Sequence, residues 1–256
     1  MTFEYKLAAF DFDHTIIDVN SDTFIDRILL RINNDSSKKT YEYPREIEDL
    51  TKSLNWTHRM NAVFDYMNSK YSIKKHDIIE CLHQIEISDP MKNLLRFLHS
   101  NSYNLIIISD ANSIFIEEIL EKNGLFNLFS KIYTNKAHFC DQTECLKVQP
   151  FNEEFNLNKE LFKCPTQICS SNICKGSVLL RHLEENSNGC DKKLVYVGDG
   201  YNDYCPGLRL SEEDFYFVRD RHSLSRLLEK RIDLAKNIKS QVFKWVDGDD
   251  ILKKFN

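Results

Sequence analysis

Short apolar runs alternate with amphipathic stretches along this chain. The first run, Lys6–Phe10, stops abruptly at Asp11, which is typical of a buried strand that ends in a polar loop. Comparable runs lie further along the chain at 104–108, 131–134, 194–197 and 215–218. Strands separated by helical segments predict an α/β fold with a Rossmann-like parallel sheet and helices on both faces.

Helical spacing of apolar residues begins after Ser21. An inward stripe is predicted for Phe24, Ile25, Ile28, Leu29 and Ile32. Ser21 or Asp22 can cap the start of that helix. Further helices are predicted at 44–54, 57–69, 75–84, after Pro90, at 113–123 with Gly124 as its C-terminal cap, and from Lys175 to about 185. The less regular stretch 135–172 is interpreted as a hairpin or an irregular insertion.

The helical block between the first two strands is too long for a simple crossover connection. We expect residues 18–87 to form an inserted helical cap, and residues 1–17 and 88–256 to form the α/β core. Ligands of open parallel sheets gather outside the carboxyl ends of the strands. A cap placed over that edge would enclose whatever site lies there.

Carboxylates follow several of the predicted strands. Asp11 and Asp13 flank Phe12, and two-residue spacing in an extended segment points both side chains the same way. Asp199 lies between two glycines, and Asp203 follows four residues later. One Asp after one strand is usually a cap or turn residue, but several strand ends together favour a site. Nearby carboxylates repel unless a cation or shared proton compensates, and Mg²⁺ prefers oxygen ligands.

Four motifs, in order along the chain, resemble the haloacid-dehalogenase superfamily of phosphotransferases. They are DFDHT at Asp11–Thr15, the strand that ends in Ser109, Lys175 at a helix start, and GDGYND at Gly198–Asp203. Three longer strings, DFDHTIIDVNSD, IISDANS and NICKG followed by GDGYNDYCP, resemble the branch of phosphoethanolamine/phosphocholine phosphatases and pyridoxal-phosphate phosphatases. The string IISDANSIFIEEIL is slightly more similar to the pyridoxal-phosphate member.

This resemblance implies an enzyme that hydrolyses a small phosphomonoester with Mg²⁺ as cofactor. Pyridoxal phosphate is the first substrate it indicates, with phosphoethanolamine or phosphocholine as the alternative. Phosphotransfer to another acceptor and protein dephosphorylation are weaker alternatives. A non-catalytic scaffold of the same fold would be expected to have lost Asp11 or Asp13, and both are present.

The resemblance also implies a role for each motif residue. Asp11 is the nucleophile that forms an aspartyl-phosphate, and Asp13 is the general acid and then the general base. Ser109 would hydrogen-bond one phosphoryl oxygen. Lys175 would neutralise another phosphoryl oxygen and the carboxylate of Asp11. A lone Ser or Lys is usually solvated surface, so these two assignments depend on their motif positions.

Metal and substrate ligands follow from the same resemblance. The implied Mg²⁺ ligands are the Asp11 side chain, the Asp13 backbone carbonyl and Asp199. Asp203 would brace the site rather than touch the ion. Asp22 and Asp110 are implied in contact with a cationic amine or pyridinium, although each could instead cap a helix. Aromatic residues of the cap interior, one of which could stack on a pyridine ring, are Trp56, Phe64, Tyr66 and Tyr71.

Composition adds limits on the partners. The chain has 39 acidic against 34 basic residues and a net charge of -5, which argues against a nucleic-acid surface. No apolar run approaches the roughly 18 residues of a membrane span, and carboxylates interrupt the first segment before a signal-peptide core could form. We expect a cytoplasmic protein whose partner is a small phosphorylated metabolite; the pattern carries no signal about oligomeric state.

Eight cysteines are expected to be thiols in that compartment. Four intervening residues separate neighbours within two groups, Cys140 with Cys145, and Cys164 with Cys169 and Cys174. That spacing is at the edge of the range for structural zinc. Buried thiols are therefore favoured over a zinc site.

Overall fold

The structure, a computed structural model, describes residues 4–35, 37–38, 40–53, 56–151, 172–187 and 189–255. Its centre is a seven-stranded sheet with the order β4-β3-β2-β1-β5-β6-β7. The strands are β1 Glu4–Phe10, β2 Asn104–Asn112, β3 Phe129–Phe139, β4 Leu146–Gln149, β5 Asp191–Gly198, β6 Phe215–Arg219 and β7 Gln241–Trp245. Neighbouring strands are parallel except β3 and β4, which pair antiparallel. The predicted α/β class is confirmed.

Helices follow or precede the strands on both sides of the sheet. Six of the described helices lie between β1 and β2: α1 Ser21–Phe24, α2 Asp26–Ile32, α3 Arg45–Ser53, α4 Trp56–Tyr71, α5 Lys75–Leu82 and α6 Asp89–Ser100. The others are α7 Ser113–Lys122, α8 Lys175–Asn186, α9 Tyr204–Gly207, α10 Ser223–Lys230, α11 Ile232–Ala235 and α12 Gly248–Leu252. None of the described helices is long and apolar enough to cross a bilayer.

Alternate residues of β1 enter two different hydrophobic clusters, as a strand covered on both faces requires. Ala8 and Phe10 belong to the larger cluster, which includes residues of α4, α6 and α7. Leu7 and Ala9 belong to the second, which includes residues of α8 and α10. All four side chains are fully buried.

The helix ends agree with the sequence predictions at Gly124 and differ from them in the first predicted helix. Gly124 has a positive φ of 66° after α7, as its predicted capping position requires. The first predicted helix is divided into α1 and α2, and Ile32 is 49% exposed, so its inward position was wrong. Asn20, rather than Ser21 or Asp22, caps α1 by accepting a hydrogen bond from the Thr23 amide at 2.9 Å. The division into residues 1–17 and 88–256 as core and 18–87 as cap remains a prediction.

Residues 136–149 form the hairpin that was one of two interpretations of the irregular stretch. Lys136 pairs with Gln149, and Phe139 pairs with Leu146. The part of that stretch at 152–171 lies outside the described residues. The hairpin extends from the edge of the sheet towards helix α4.

Side chains of helix α4 form hydrogen bonds and an ion pair with this hairpin at several points along the helix. The Asn61 side chain donates to the Val148 carbonyl and accepts from the Val148 amide, each at 2.8 Å. Two turns further along, Asn68 Nδ2 donates to the Thr143 carbonyl at 3.0 Å. Between these contacts Asp65 forms an ion pair with Lys147. One face of α4 therefore repeatedly contacts a segment that is distant in sequence.

Candidate active site

The carboxyl ends of β1, β2 and β5 lie side by side because these strands are parallel neighbours. Asp11 follows β1, Ser109 lies near the end of β2, and Asp199 follows β5. Lys175, the first residue of α8, extends its ammonium to within 2.8 Å of Asp11 Oδ2. The motif residues that are distant in sequence thus converge at one edge of the sheet.

Asp203 lies at the centre of this convergence and is fully buried. Its Oδ1 accepts from Lys175 Nζ at 2.8 Å and from the Tyr196 hydroxyl at 2.7 Å. Its Oδ2 accepts from the backbone amides of Asp199 at 3.0 Å and Gly200 at 2.8 Å. Four donors around one carboxylate fix the loop after β5 relative to α8.

Gly198 permits that arrangement. A Cβ atom at this position would lie 2.4 Å from Asp203 Cγ, closer than real Cβ contacts allow. The first glycine of GDGYND is therefore required by a close approach rather than by a positive φ.

Three buried carboxylates at this edge could hold a metal ion. Asp11, Asp199 and Asp203 each offer an oxygen, and these oxygens lie within 4.8 Å of one another. Burial, followed by the charge of Asp203, raises the pKa of Asp11, and Lys175 opposes that effect. Burial and Asp203 also raise the pKa of Asp199 to about 7. Several carboxylate oxygens that lie together with too little compensating positive charge are suitable ligands for a hard divalent cation.

The Asp13 side chain stands apart from this cluster. Its Oδ1 accepts from the Ser21 amide at 3.0 Å. Burial, and next the charge of Asp22, raise the pKa of Asp13 well above its usual range. A carboxyl of this kind keeps its proton towards neutral pH, which a general acid needs.

Ser109 and Asp110 occupy the end of β2. Ser109 is fully buried, and its Oγ accepts from the Ala111 amide at 3.2 Å, which leaves its hydroxyl hydrogen to donate elsewhere. Asp110 Oδ2 accepts from Asn202 Nδ2 at 3.2 Å, across to the GDGYND loop. The capping alternative for Asp110 is wrong, because Asn112 caps α7 through the Phe115 amide at 3.1 Å.

A small cavity lies between the first helices and the sheet edge. Asp22 and Asp110 line it from the two sides, and it encloses about 10 Å³. Its other lining residues are Trp56, Thr57, Met60, Ala111, Asn112, Asn135 and Val148. We refer to the space that these nine residues line as the cap–core cavity.

Asp22 is held inside the cap–core cavity by a contact that the motifs do not indicate. Its Oδ2 accepts from the Trp56 indole N–H at 2.5 Å, and Asp22 is 5% exposed. Burial raises the pKa of Asp22 to about 7, with the Trp56 hydrogen bond opposing and the charge of Asp110 adding. The Arg59 guanidinium lies 4.9 Å from the centre of the Trp56 ring. Trp56 is therefore the aromatic residue of the predicted set that reaches the cavity.

His222 is a site residue that sequence reasoning missed. Its Nδ1 lies 3.0 Å from Asp199 Oδ2. Its ring also lies 5.5 Å from that of His14, which faces His222 rather than the acidic pair. His222 follows β6 and belongs to no motif, so only the fold brings it to Asp199.

The six cysteines that the structure describes lie outside the carboxylate cluster. Cys140 and Cys145 are joined across the hairpin turn by a backbone hydrogen bond of 2.9 Å. Cys145, Cys174 and Cys205 are buried and form no disulfide. Cys164 and Cys169 lie outside the described residues, and in the parts of the chain that are described no cysteine joins a group of metal-ligating side chains.

The sheet order, the helical insertion and the convergence of motif residues define a small-molecule phosphatase of the haloacid-dehalogenase fold. A solved structure of a phospho-aspartyl intermediate analogue of phosphoserine phosphatase superposes with a TM-score of 0.57 and 16% identity, covering 98% of this chain and 99% of that chain. The chain belongs to the family described as Putative Phosphatase, whose model matches residues 6–255.

Curated relatives cover nearly the whole chain. "Probable phosphatase phospho2" of Xenopus tropicalis is 35% identical over 96% of this chain and 95% of its own length. "Pyridoxal phosphate phosphatase PHOSPHO2" of Rattus norvegicus is 32% identical over the same shares. "Inorganic pyrophosphatase 1" of Arabidopsis thaliana is 29% identical over 94% of this chain and 75% of its own length. This chain is a phosphoric monoester hydrolase.

Proposed function

We propose that this protein is a magnesium-dependent phosphatase that hydrolyses pyridoxal phosphate, in the cytoplasm, through an aspartyl-phosphate on Asp11. The observation that carries the proposal is the placement of Lys175 within 2.8 Å of the Asp11 carboxylate at the strand edge. A carboxylate can approach a phosphoryl anion only where positive charge masks both. Lys175 supplies one such charge.

A bound cation would supply the positive charge that Lys175 alone does not provide. The Asp11 and Asp199 side chains and the Asp13 backbone carbonyl would hold Mg²⁺. Asp203 would brace the Asp199 loop and Lys175 through its four hydrogen bonds. The bound ion would supply further positive charge for the phosphoryl oxygens. The other chemistry falls to side chains of this chain.

In the first half-reaction an Asp11 oxygen forms a bond to phosphorus while the bond from phosphorus to the leaving oxygen breaks. Asp13 gives its proton to that leaving oxygen, so the product departs as an alcohol. Ser109 donates its free hydroxyl hydrogen to a phosphoryl oxygen. In the second half-reaction Asp13 takes a proton from water, which attacks phosphorus and releases phosphate and the Asp11 carboxylate.

The cap–core cavity favours a cationic leaving group. Asp22 and Asp110 place two carboxylates there, and Trp56 adds an aromatic wall. A protonated pyridine suits both features, in line with the name of the Rattus norvegicus relative. Pyrophosphate suits them less, because its leaving phosphate would meet Asp22 and Asp110 as an anion.

Phosphoethanolamine or phosphocholine is the second candidate. The same carboxylates and indole would also bind a small ammonium group, so these residues alone do not separate the two candidates. No specific observation among the described residues favours phosphotransfer to another acceptor or protein dephosphorylation.

The deciding experiment compares kcat/KM for pyridoxal phosphate, phosphoethanolamine and phosphocholine side by side. We expect the highest value for pyridoxal phosphate and single-turnover release of inorganic phosphate without an added acceptor. Asp11→Asn should abolish hydrolysis of all three and of a generic aryl phosphate. Aryl phosphatase activity that survives in Asp11→Asn would overturn the mechanism, and a higher value for an ammonium ester would overturn the substrate.

A further inference from the structure

Thr57 carries a buried hydroxyl without a hydrogen-bond partner. It is the second residue of α4 and is 1% exposed, and its Oγ1 contacts no donor or acceptor. A buried hydroxyl without a partner has lost its hydrogen bonds to water and gained none in the protein, which destabilises the folded state. A residue of this kind calls for an explanation, because valine would have the same shape without that cost.

The position of Thr57 at the cap–core cavity explains why its hydroxyl is retained. It lines the cap–core cavity together with Asp22, Trp56 and Asp110. The cavity of about 10 Å³ has room for roughly one water in this closed arrangement. A larger guest can enter only when α4 moves away from the sheet edge, and Thr57 would then face that guest.

The other neutral polar side chains of the cavity already have partners. Trp56 donates to Asp22. Asn112 accepts from the Phe115 amide at 3.1 Å. Asn135 donates to the Ala111 carbonyl at 2.7 Å and accepts from the Phe151 amide at 2.8 Å. Among the described side chains that line the cavity, Thr57 is the one with a buried polar atom that has no hydrogen-bond partner.

We propose that Thr57 is a specificity-determining residue whose hydroxyl hydrogen-bonds the leaving group of the phosphomonoester. The inference rests on the proposed function, because it takes the cap–core cavity as the place where the leaving group binds. The leaving group it fits has a hydrogen-bonding atom, such as a ring hydroxyl or an N–H, beside the positive charge that faces Asp22 and Asp110. A quaternary ammonium group has no such atom and would gain nothing from Thr57.

Two substitutions separate the hydroxyl from the shape of the side chain. Thr57→Val removes the hydroxyl at nearly equal volume, and Thr57→Ser keeps it. The measured quantity is kcat/KM for pyridoxal phosphate divided by kcat/KM for phenyl phosphate, whose leaving group has no polar substituent. We expect Thr57→Val to lower this ratio by about tenfold, mainly through a higher KM for pyridoxal phosphate. Thr57→Ser should keep the ratio within about threefold of the wild type.

Ser240 offers a matched control. It is 7% exposed, its hydroxyl also has no partner, and it precedes β7 away from the cap–core cavity. Ser240→Ala removes an unpartnered hydroxyl of the same kind and should leave the selectivity ratio unchanged. Thr57→Val and Ser240→Ala should each keep or raise the midpoint temperature of thermal unfolding, because each removes a buried hydroxyl that has no hydrogen-bond partner.

A binding measurement distinguishes this inference from the proposed function. Calorimetry of pyridoxal phosphate with Asp11→Asn needs no turnover, and adding Thr57→Val to it should weaken binding by about tenfold. Equal binding by the single and double variants, or an unchanged selectivity ratio, would overturn the role of Thr57. Weaker binding together with aryl phosphatase activity in Asp11→Asn would instead overturn the proposed mechanism and leave Thr57 as a ligand of the leaving group.

Discussion

Lys175 Nζ lies 2.8 Å from Asp203 Oδ1, and neither side chain has exposed surface. The same ammonium lies 2.8 Å from Asp11 Oδ2, so one cation joins carboxylates that follow β1 and β5. Burial opposes the charge of Lys175, but Asp11 and Asp203 outweigh it and raise the pKa of Lys175. The ammonium is therefore both a structural and an electrostatic centre of the site.

Removal of this ammonium should affect stability and activity together. In Lys175→Met the buried carboxylates of Asp11 and Asp203 would face each other without compensation. We expect hydrolysis of an aryl phosphate to fall by at least about 100-fold and the free energy of unfolding to fall by about 3–5 kcal/mol. Urea unfolding and initial rates measure the two effects, with the exposed Lys192→Met as the control. Wild-type rates in Lys175→Met would contradict the assigned role.

Asp22 should make stability depend on pH. Its folded pKa of about 7 lies above the value near 4 of an unfolded chain, so the native carboxyl keeps a proton that the unfolded one has lost. The native state is therefore favoured at low pH and loses stability as pH rises from about 4 to about 7. Asp22→Asn, which stays neutral, should be more stable than wild type at pH 8 by on the order of 4 kcal/mol.

Urea unfolding of wild type and Asp22→Asn at several pH values tests this prediction. The gain should shrink as the pH is lowered towards 4, where both side chains are neutral. A difference that stays constant with pH would show that the charge of Asp22 is not its cause. If Asp22 binds a cationic leaving group, the same variant should lose kcat/KM on pyridoxal phosphate, an exchange of stability for function.

His222 should position Asp199 for metal binding. Its Nδ1 can donate to Asp199 Oδ2 at 3.0 Å and so fix the orientation of that carboxylate. We expect His222→Phe to weaken Mg²⁺ binding by about 10–100-fold, as other residues that support metal ligands do when replaced. Calorimetric titration with Mg²⁺ measures this without substrate. His222→Asn, which keeps a donor, should bind more tightly than His222→Phe, and equal affinity in all three proteins would refute the role.

The contact between Asn61 and Val148 should control local opening of the hairpin. Asn61→Leu removes both 2.8 Å hydrogen bonds and should speed hydrogen exchange at the Val148 amide by about tenfold. Asn61→Asp keeps an acceptor for that amide and should show a smaller increase. Exchange measured by NMR distinguishes them, and protection unchanged in Asn61→Leu would show that burial of Val148, rather than the bond to Asn61, protects the amide.

The sequence predicts most of the sheet and the motif residues because their signals are local. A buried strand followed by Asp11, or the glycines around Asp199, can be recognised within a few residues. Strand β7 was not predicted, since Gln241–Trp245 lies at the sheet edge and most of its residues are exposed or half-buried. Its pattern therefore lacks the apolar run that marks the central strands.

Other features depend on contacts between distant segments. His222 reaches Asp199 because β6 lies beside β5, and Trp56 reaches Asp22 because the first residues of α1 and α4 meet at the cap–core cavity. The unpartnered hydroxyl of Thr57 is likewise visible only when its surroundings are known. No pattern within one segment carries this information, so the site's supporting residues could not be predicted from the motifs.

The β3–β4 hairpin has a consequence for how this family can diverge. Val148 forms part of the cap–core cavity and is tied to Asn61, whereas the turn at 140–145 lies at the far end of the hairpin. Insertions or deletions in that turn would shift Val148 without altering any residue that handles phosphate. We therefore expect related chains with longer or shorter turns to accept esters of different bulk while retaining the same catalytic chemistry.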